Sequence, residues 1–184
     1  MLTLRRRQTG SSLIEVLIAI LLLSVSAVAI GAMIMFAVQM PKLSGYRATA
    51  TNLAASYIER IRANRNGFEL GSYQLKGSSY SNDASPLVLS EMPGGHCNYP
   101  DCSAAGIADM DFAETSVAIR ESLPAGGLLM LGDAAGGSFG NLWVIWNEPA
   151  TVSVIDARQS DQCPAQVSAY TAAKPRCLYV RFEI

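Results

Sequence analysis

Residues 10–38 read GSSLIEVLIAILLLSVSAVAIGAMIMFAV, an apolar run broken by a single charge, Glu15. No charged residue occurs between positions 16 and 41. A helix that crosses a bilayer takes about 20 apolar residues, so the run predicts a membrane span over about residues 12–38. Arg5, Arg6 and Arg7 stand just ahead of it, and a basic flank holds that end on the cytoplasmic side. Beyond Gln39 the pattern turns amphipathic. Tyr46, Ala50, Leu53, Ala54, Tyr57, Ile58 and Ile61 recur at the spacing of one helix face. Arg47, Asn52, Ser56, Glu59 and Arg60 fall mostly on the other side, and Glu59 precedes Arg62 at a favourable helical spacing. Arg62 and Arg65 then lead into Asn66-Gly67, a stop signal with basic residues at the negative helix end. The pattern predicts one helix over residues 11–66, amphipathic from 42 to 66 and roughly 80 Å long. Pro41 removes a backbone hydrogen bond and is expected to kink it, whereas Gly31 is permissive.

After Gly67 the composition shifts to Gly, Ser, Asn and Pro as far as Gly95, with short strands expected at most at 73–75 and 87–89. Residues 103–123 read as a short helix with Ser103 as N-cap, ending at Pro124 and Gly126-Gly127. Strand composition marks 128–131, 142–146, 151–155 and 177–182, an antiparallel sheet with Asn147-Glu148-Pro149-Ala150 as a hairpin loop. Alternation in the last strand sets Leu178, Val180 and Phe182 on the face opposite Tyr179 and Arg181.

Two ordinary readings of the N-terminal run fail. A secretory signal peptide ends its apolar region at a small-x-small cleavage site, but here the run continues past Ala27, Ala29 and Ala32 to Val38. A plain anchor accounts for the length but not for Glu15. A carboxylate inside a membrane helix costs about 2.5–3.5 kcal/mol at the centre and less near an end, and such residues are usually functional; the plain alternative is that Glu15 snorkels to the headgroups.

The basic leader ending in Gly10, then Ser11-Ser12-Leu13-Ile14-Glu15, then the apolar helix, resembles the class III signal of type IV prepilins. The resemblance implies that prepilin peptidase cuts between Gly10 and Ser11 on the cytoplasmic face and methylates Ser11 as the new first residue. Ser11 stands where the family usually has phenylalanine. Glu15 becomes the fifth residue of the mature chain. Glycine lets the backbone extend and approach a protease closely. Cleavage leaves an amine beside an apolar helix, and that amine and Glu15 of a neighbouring subunit neutralise one another and set axial register.

The segment ATNLAASYIERIRANRNGFELGSY, above all Glu59-Arg60-Ile61-Arg62-Ala63-Asn64-Arg65, looks like the corresponding part of PilV-type minor pilins, the type IV pilus modification proteins. As chemistry it is a basic helix end able to meet an acidic neighbour. The order Cys, Asp-Cys, acidic helix, Leu-Pro, Gly-Gly is similar to the same family, so the resemblance runs from the leader to about Asn147. It implies an α+β, type IV pilin-like fold, a long N-terminal α-helix packed on a small antiparallel β-sheet head with disulfides. The leader is then 1–10, the helix 11–66 and the periplasmic head 67–184, with the turn-rich stretch in the place of the variable αβ-loop. The implied role is that of a minor pilin in pilus assembly or initiation and in pilus-dependent adhesion or motility. The implied partners are prepilin peptidase, other minor and major pilins, the assembly platform in the inner membrane and a tip adhesin. The implied location is the inner membrane and pilus of a Gram-negative bacterium. A minor pseudopilin of a type II secretion system shares the N-terminal logic and is the alternative.

Composition narrows the chemistry. The net charge of −1 falls to about −4 once the leader arginines are removed, and no basic patch outside the leader and one helix end supports nucleic-acid binding. Four cysteines, Cys97, Cys102, Cys163 and Cys177, fit an oxidising compartment. His96 is the only histidine, and its spacing with the cysteines matches no zinc module. A local Cys97–Cys102 disulfide around a Pro-containing loop is the better reading. Cys163 and Cys177 would close a loop onto the last strand, worth about 3 kcal/mol in the chain-entropy model, and pilins carry a disulfide-bounded C-terminal region. Sequence alone allows three pairings, and the two local ones are expected. Asp109, Asp111 and Glu114 lack the spaced ligands and glycine of a calcium loop and read as a solvated helix face. The glycine-rich stretch 132–140 lacks the lysine of a phosphate loop. Its Gly136-Gly137-Ser138-Phe139-Gly140 fits Gly-x-Ser-x-Gly, but a strand-like run follows where a nucleophile elbow needs a helix, and His96 comes earlier in the chain. No catalytic residue, cofactor or metal is therefore expected. A ligand-binding head would draw on Tyr73, Tyr80 and Tyr99 in the loops.

Overall fold

The computed structural model describes residues 12–74, 77–81, 84–94, 97, 100–132, 137–148, 161–168 and 175–184. The chain divides into two compact units between Lys42 and Leu43. The N-terminal unit holds the first part of helix α1, Leu13–Ala63, which contains Pro41. Its side chains from Leu13 to Val38 are exposed, as an apolar helix meant for lipid must be when it stands alone. Its two serines keep their hydroxyls off the surrounding medium. Ser24 Oγ donates to the Leu21 carbonyl at 2.8 Å and Ser26 Oγ to the Leu22 carbonyl at 2.7 Å. Hydrocarbon offers no other partner.

In the second unit the C-terminal part of α1 supplies the stripe that the head packs on. Ala50, Ala54, Tyr57, Ile58 and Ile61 are buried, and Tyr46 and Leu53 pack at the margin. The helix does not run to Asn66. It ends at Ala63, where Asn64 leaves helical geometry (φ −110°, ψ 52°) and caps a second short helix, α2, Arg65–Glu69. The expected stop at Asn66-Gly67 is overridden because Asn64 Oδ1 accepts the Gly67 N–H, which starts a new helical turn. The chain turns away only at Gly71, in the left-handed region at φ +75°.

Helix α3, Ala104–Ser122, starts at Ser103, whose Oγ accepts the Gly106 N–H at 3.0 Å, and ends at Leu123 before Pro124. Three strands follow: β1, Gly127–Gly132; β2, Phe139–Trp146; and β3, Arg176–Glu183. They form an antiparallel sheet in the order β1-β2-β3. The register sets Leu128 opposite Val144 and Val144 opposite Leu178. Leu128, Met130, Leu142, Val144, Trp146 and Phe182 therefore share one face and close the core over α1. The other face carries Leu129, Ile145 and Cys177, covered by Tyr80 and by Val167 of a short helix, α4, Ala165–Ser168. Cys97–Cys102 and Cys163–Cys177 are the two disulfides, with Cα–Cα distances of 5.6 and 5.3 Å. The architecture is α+β and pilin-like, a long N-terminal helix packed on a small three-stranded sheet.

The turn-rich stretch differs from expectation. Tyr73 lies in a turn, Leu87 and Val88 are irregular, and Leu89–Glu91 form a 3₁₀ turn, so neither short strand is present among the described residues. This segment is held by a side chain instead. The buried Arg120 donates to three carbonyls, Gly126 at 2.7 Å, Ser85 at 3.1 Å and Ser79 at 3.0 Å. Backbone oxygens saturated by a guanidinium do not require a strand partner. The strand expected at 151–155 lies outside the described residues, as does the Pro149-Ala150 half of the hairpin loop.

Where the stretch meets the sheet, Ser79 N–H donates to Leu128 O at 2.9 Å and Leu128 N–H to Ser79 Oγ at 2.8 Å. A Cβ on Gly127 would overlap the Tyr80 backbone. We therefore expect Gly127→Ala to destabilise the head by about 1–3 kcal/mol, the usual range for overpacking. Gly77→Ala, where a Cβ meets nothing within 4 Å, should stay within about 0.5 kcal/mol. Chemical denaturation of the two variants in detergent checks the contrast.

Candidate functional site

The N-terminal candidate begins at Ser12, whose carbonyl accepts the N–H of Glu15 at 2.9 Å and of Val16 at 3.3 Å. Glu15 thus lies in the first turn of α1, beside amides that have no partner within the helix. A carboxylate there complements the positive end of the helix dipole. The helix after it is long and apolar enough to cross a membrane. Gly10 and Ser11 lie outside the described residues.

A second cluster joins the end of α1 to α3. Arg60 Nη1 reaches Asp111 Oδ1 at 3.4 Å and makes a closer contact with Glu114 Oε2. Asp111 Oδ2 accepts the Tyr73 hydroxyl at 2.6 Å. The same hydroxyl accepts from Asn64 Nδ2 at 3.1 Å, and Asn64 Nδ2 also donates to the Ala104 carbonyl at 2.8 Å. Asp111, Tyr73 and Asn64 therefore link α1, the turn after α2, and both the first and second turns of α3. Asp111 is only 8% exposed, which corrects the solvated helix face expected for the acids of this helix. Helical spacing sets Asp111 on the same side as Ala108 and Thr115, and that side faces the core.

The electrostatics follow from these contacts. The hydrogen bond to Glu114 is the leading cause that raises the Arg60 pKa. Burial pushes the Tyr73 hydroxyl up from its usual 10, and its hydrogen bond to the Asp111 carboxylate adds to this. Tyr57 packs edge-on against Tyr73 at 6.2 Å between ring centroids. Its hydroxyl is also pushed up, first by burial and then by Tyr73 and Asp111. Among the described residues the Tyr57 hydroxyl has no hydrogen-bond partner.

The basic helix end is thus largely spent within the chain. Arg60 faces α3, Arg62 pairs with Glu59 at 2.7 Å and Arg65 with Glu69 at 2.8 Å. Among the described residues no group of three or more His, Cys, Asp or Glu side chains is placed to share a metal ion. Ser138 leads directly into β2, so the helix that a nucleophile elbow requires is not there. Tyr73 and Tyr80 are buried, with their hydroxyls bonded to Asp111 and Asn147, which removes them as exposed ligand-binding tyrosines. Tyr99 and His96 lie outside the described residues. Sequence reasoning passed over Asn64 and Arg120. Arg120 was detectable in principle, since it adjoins Ile119 on the apolar side of α3. For Asn64 the local signal was an Asn three residues before Gly67, an N-cap spacing; its links to Tyr73 and Ala104, 9 and 40 residues away, left no trace in the sequence.

Asp111→Ala should cost about 2 kcal/mol, since it removes the acceptor of a buried hydroxyl and a guanidinium. Arg60→Ala should cost less than about 1 kcal/mol, because that side chain is 41% exposed and the pair is screened. Denaturation midpoints of the two variants check the order. A pH dependence follows as well. Unfolded tyrosines ionise near pH 10, whereas folded Tyr57 and Tyr73 keep their protons to higher pH. Above about pH 10 the folded state binds more protons than the unfolded one, so stability falls as pH rises. Tyr57→Phe should flatten that fall in denaturation series run between about pH 9 and 11.5.

A family model, the prokaryotic N-terminal methylation motif, matches residues 5–31. No curated protein and no solved structure matches the chain. The matched stretch contains Arg5, Arg6, Arg7, Gly10, Ser11 and Glu15 and ends within α1. The motif is that of a pilin or pseudopilin, implying processing by prepilin peptidase and assembly with other pilins, and it fits membrane anchoring by the apolar helix. In its N-terminal signal and in its fold of long helix, three-stranded antiparallel sheet and two disulfides, the chain is type IV pilin-like.

Proposed function

We propose that this chain is a minor type IV pilin of the PilV kind, a structural subunit rather than an enzyme. One observation carries the reading. A methylation motif over residues 5–31 passes into a 51-residue helix whose C-terminal part is the core of a small disulfide-bonded head. Prepilin peptidase cuts between Gly10 and Ser11 on the cytoplasmic face of the inner membrane and methylates Ser11. The cut removes Arg5, Arg6 and Arg7, the charges that would otherwise hold the N-terminus at the membrane surface. The head then stands in the periplasm until the helix is drawn into a filament by the assembly platform.

Glu15 is the subunit-assembly carboxylate. In the apolar interior of a helix bundle an amine and a carboxylate are each costly alone. Paired between neighbouring subunits they fix the axial register of helices that otherwise present only apolar side chains to one another. The head contacts other minor and major pilins or a tip adhesin and so serves pilus assembly, adhesion or motility. The motif is common to pseudopilins of type II secretion. The Glu59–Arg65 segment and the Cys-Asp-Cys order favour the pilus.

Mass spectrometry of the native N-terminus, taken from sheared surface filaments and from membranes, tests the reading. The expected peptide begins at N-methylated Ser11 and occurs in both fractions. An intact Met1 end confined to membranes, in cells with active prepilin peptidase, overturns it. Glu15→Ala should still be cleaved, but its amount in the sheared fraction should drop about tenfold or more, the effect of one lost buried ion pair. Normal filament entry by that variant would remove the pairing role.

A further inference from the structure

The Cys163–Cys177 disulfide is accompanied by a partly buried ionic cluster. Arg176 opens β3, and its guanidinium lies between two carboxylates. Nε is 2.9 Å from Glu148 Oε2, just past the end of β2, and Nη1 is 3.5 Å from Asp161 Oδ2. The Arg176, Glu148 and Asp161 side chains are 11%, 4% and 16% exposed. Asp161 Oδ2 also accepts the N–H of Cys177 at 3.2 Å, and the Asp161 carbonyl accepts the N–H of Cys163 at 2.7 Å. The backbones of both cysteines are thus bonded to oxygens of one residue. Gln162, between Asp161 and Cys163, is fastened separately, because its carbonyl accepts Trp143 Nε1–H at 2.8 Å.

These contacts have a consequence for the sulfur chemistry. Cys97 and Cys102 are 5 residues apart, and the chain itself keeps them close. Cys163 and Cys177 are 14 apart, so a larger loop must be closed. The Asp161 carboxylate supplies that closure without a covalent bond. Removed from water, the carboxylate is stable only where Arg176 and an N–H donor meet it. It therefore docks residues 161–163 in one place, beside the first residues of β3.

We propose that Asp161, held by Arg176, is a positioning residue for oxidation of Cys163 and Cys177. It brings the two thiols together before the bond forms and keeps the segment docked if the bond is reduced. The covalent step uses an external disulfide as oxidant. One cysteine thiolate attacks a sulfur of that disulfide and releases one thiol, leaving a mixed disulfide. The other cysteine thiolate attacks the sulfur of the first, forms Cys163–Cys177 and releases the second thiol. Two electrons and two protons pass from the chain to the external disulfide, which becomes two thiols. With four cysteines and three possible pairings, the clasp selects this partner for Cys177.

The test uses the detergent-solubilised full chain equilibrated in reduced and oxidised glutathione, with both disulfides followed by alkylation and peptide mass mapping. Asp161→Asn should lower the equilibrium constant for Cys163–Cys177 about tenfold or more, the factor expected from one charge-assisted hydrogen bond. It should leave Cys97–Cys102 unchanged. An unchanged Cys163–Cys177 constant, or an equal fall at both disulfides, overturns the proposal. A second measurement avoids sulfur chemistry altogether. In a Cys163→Ser, Cys177→Ser chain the amide hydrogen at position 177 should still exchange slowly, and adding Asp161→Asn should speed it about tenfold or more. Fast exchange with Asp161 intact overturns the proposal.

Discussion

The stripe Ala50, Ala54, Tyr57, Ile58 and Ile61 on the second half of α1 is the surface against which the head is built. A three-stranded sheet has an apolar face that cannot stay in water, and three short strands alone enclose very little. Leu128, Met130, Leu142, Val144 and Phe182 find their cover on this helix. The small residues Ala50 and Ala54 allow close packing, and Tyr57 and Ile61 fill the space between elements. Without the helix this face of the sheet would be left uncovered.

The same helix answers to two surroundings. Its first part is apolar on every side after Glu15, save for Ser24 and Ser26, and exposed; its second part has one buried face and one polar face. The polarity change falls near Pro41 and Lys42. An anchor and a core element are thereby written into one continuous element, and the signal for processing sits at its start, in the stretch matched by the methylation motif. The functional reading depends on that adjacency, because a pilin subunit must pass from lipid into a filament without refolding its head.

Polar side chains finish what the apolar core leaves loose. Asn64 and Asp111 tie the end of α1 to α3. Arg120 gathers the carbonyls of Ser79, Ser85 and Gly126. Arg176 collects Glu148 and Asp161 beside the second disulfide. Each joins segments that are remote in sequence. Buried groups of this kind contribute more to specifying one arrangement than to net stability. They stand at the points where a small head has the fewest alternatives to a disulfide or a guanidinium.

What the sequence determined by itself was everything governed by local period. The apolar run, the stripe on the second half of α1, the N-cap at Ser103 and the alternation of Leu178, Val180 and Phe182 can each be read from neighbours a few residues apart. The methylation motif over residues 5–31 is legible for the same reason, since it is a linear signal. Tertiary structure decided what depends on distant partners. Asn64 restarts the helix through a cap on Gly67 three residues on, and it is held there by Tyr73 and Ala104, 9 and 40 residues away, which no window around Asn66-Gly67 contains. Asp111 looked like one acid among three on a polar face until Tyr73 and Arg60 arrived from 38 and 51 residues away. Periodicity records which face is apolar. It holds no information about which far segment will bring a charge or a hydroxyl to that face, because that depends on how the chain closes on itself.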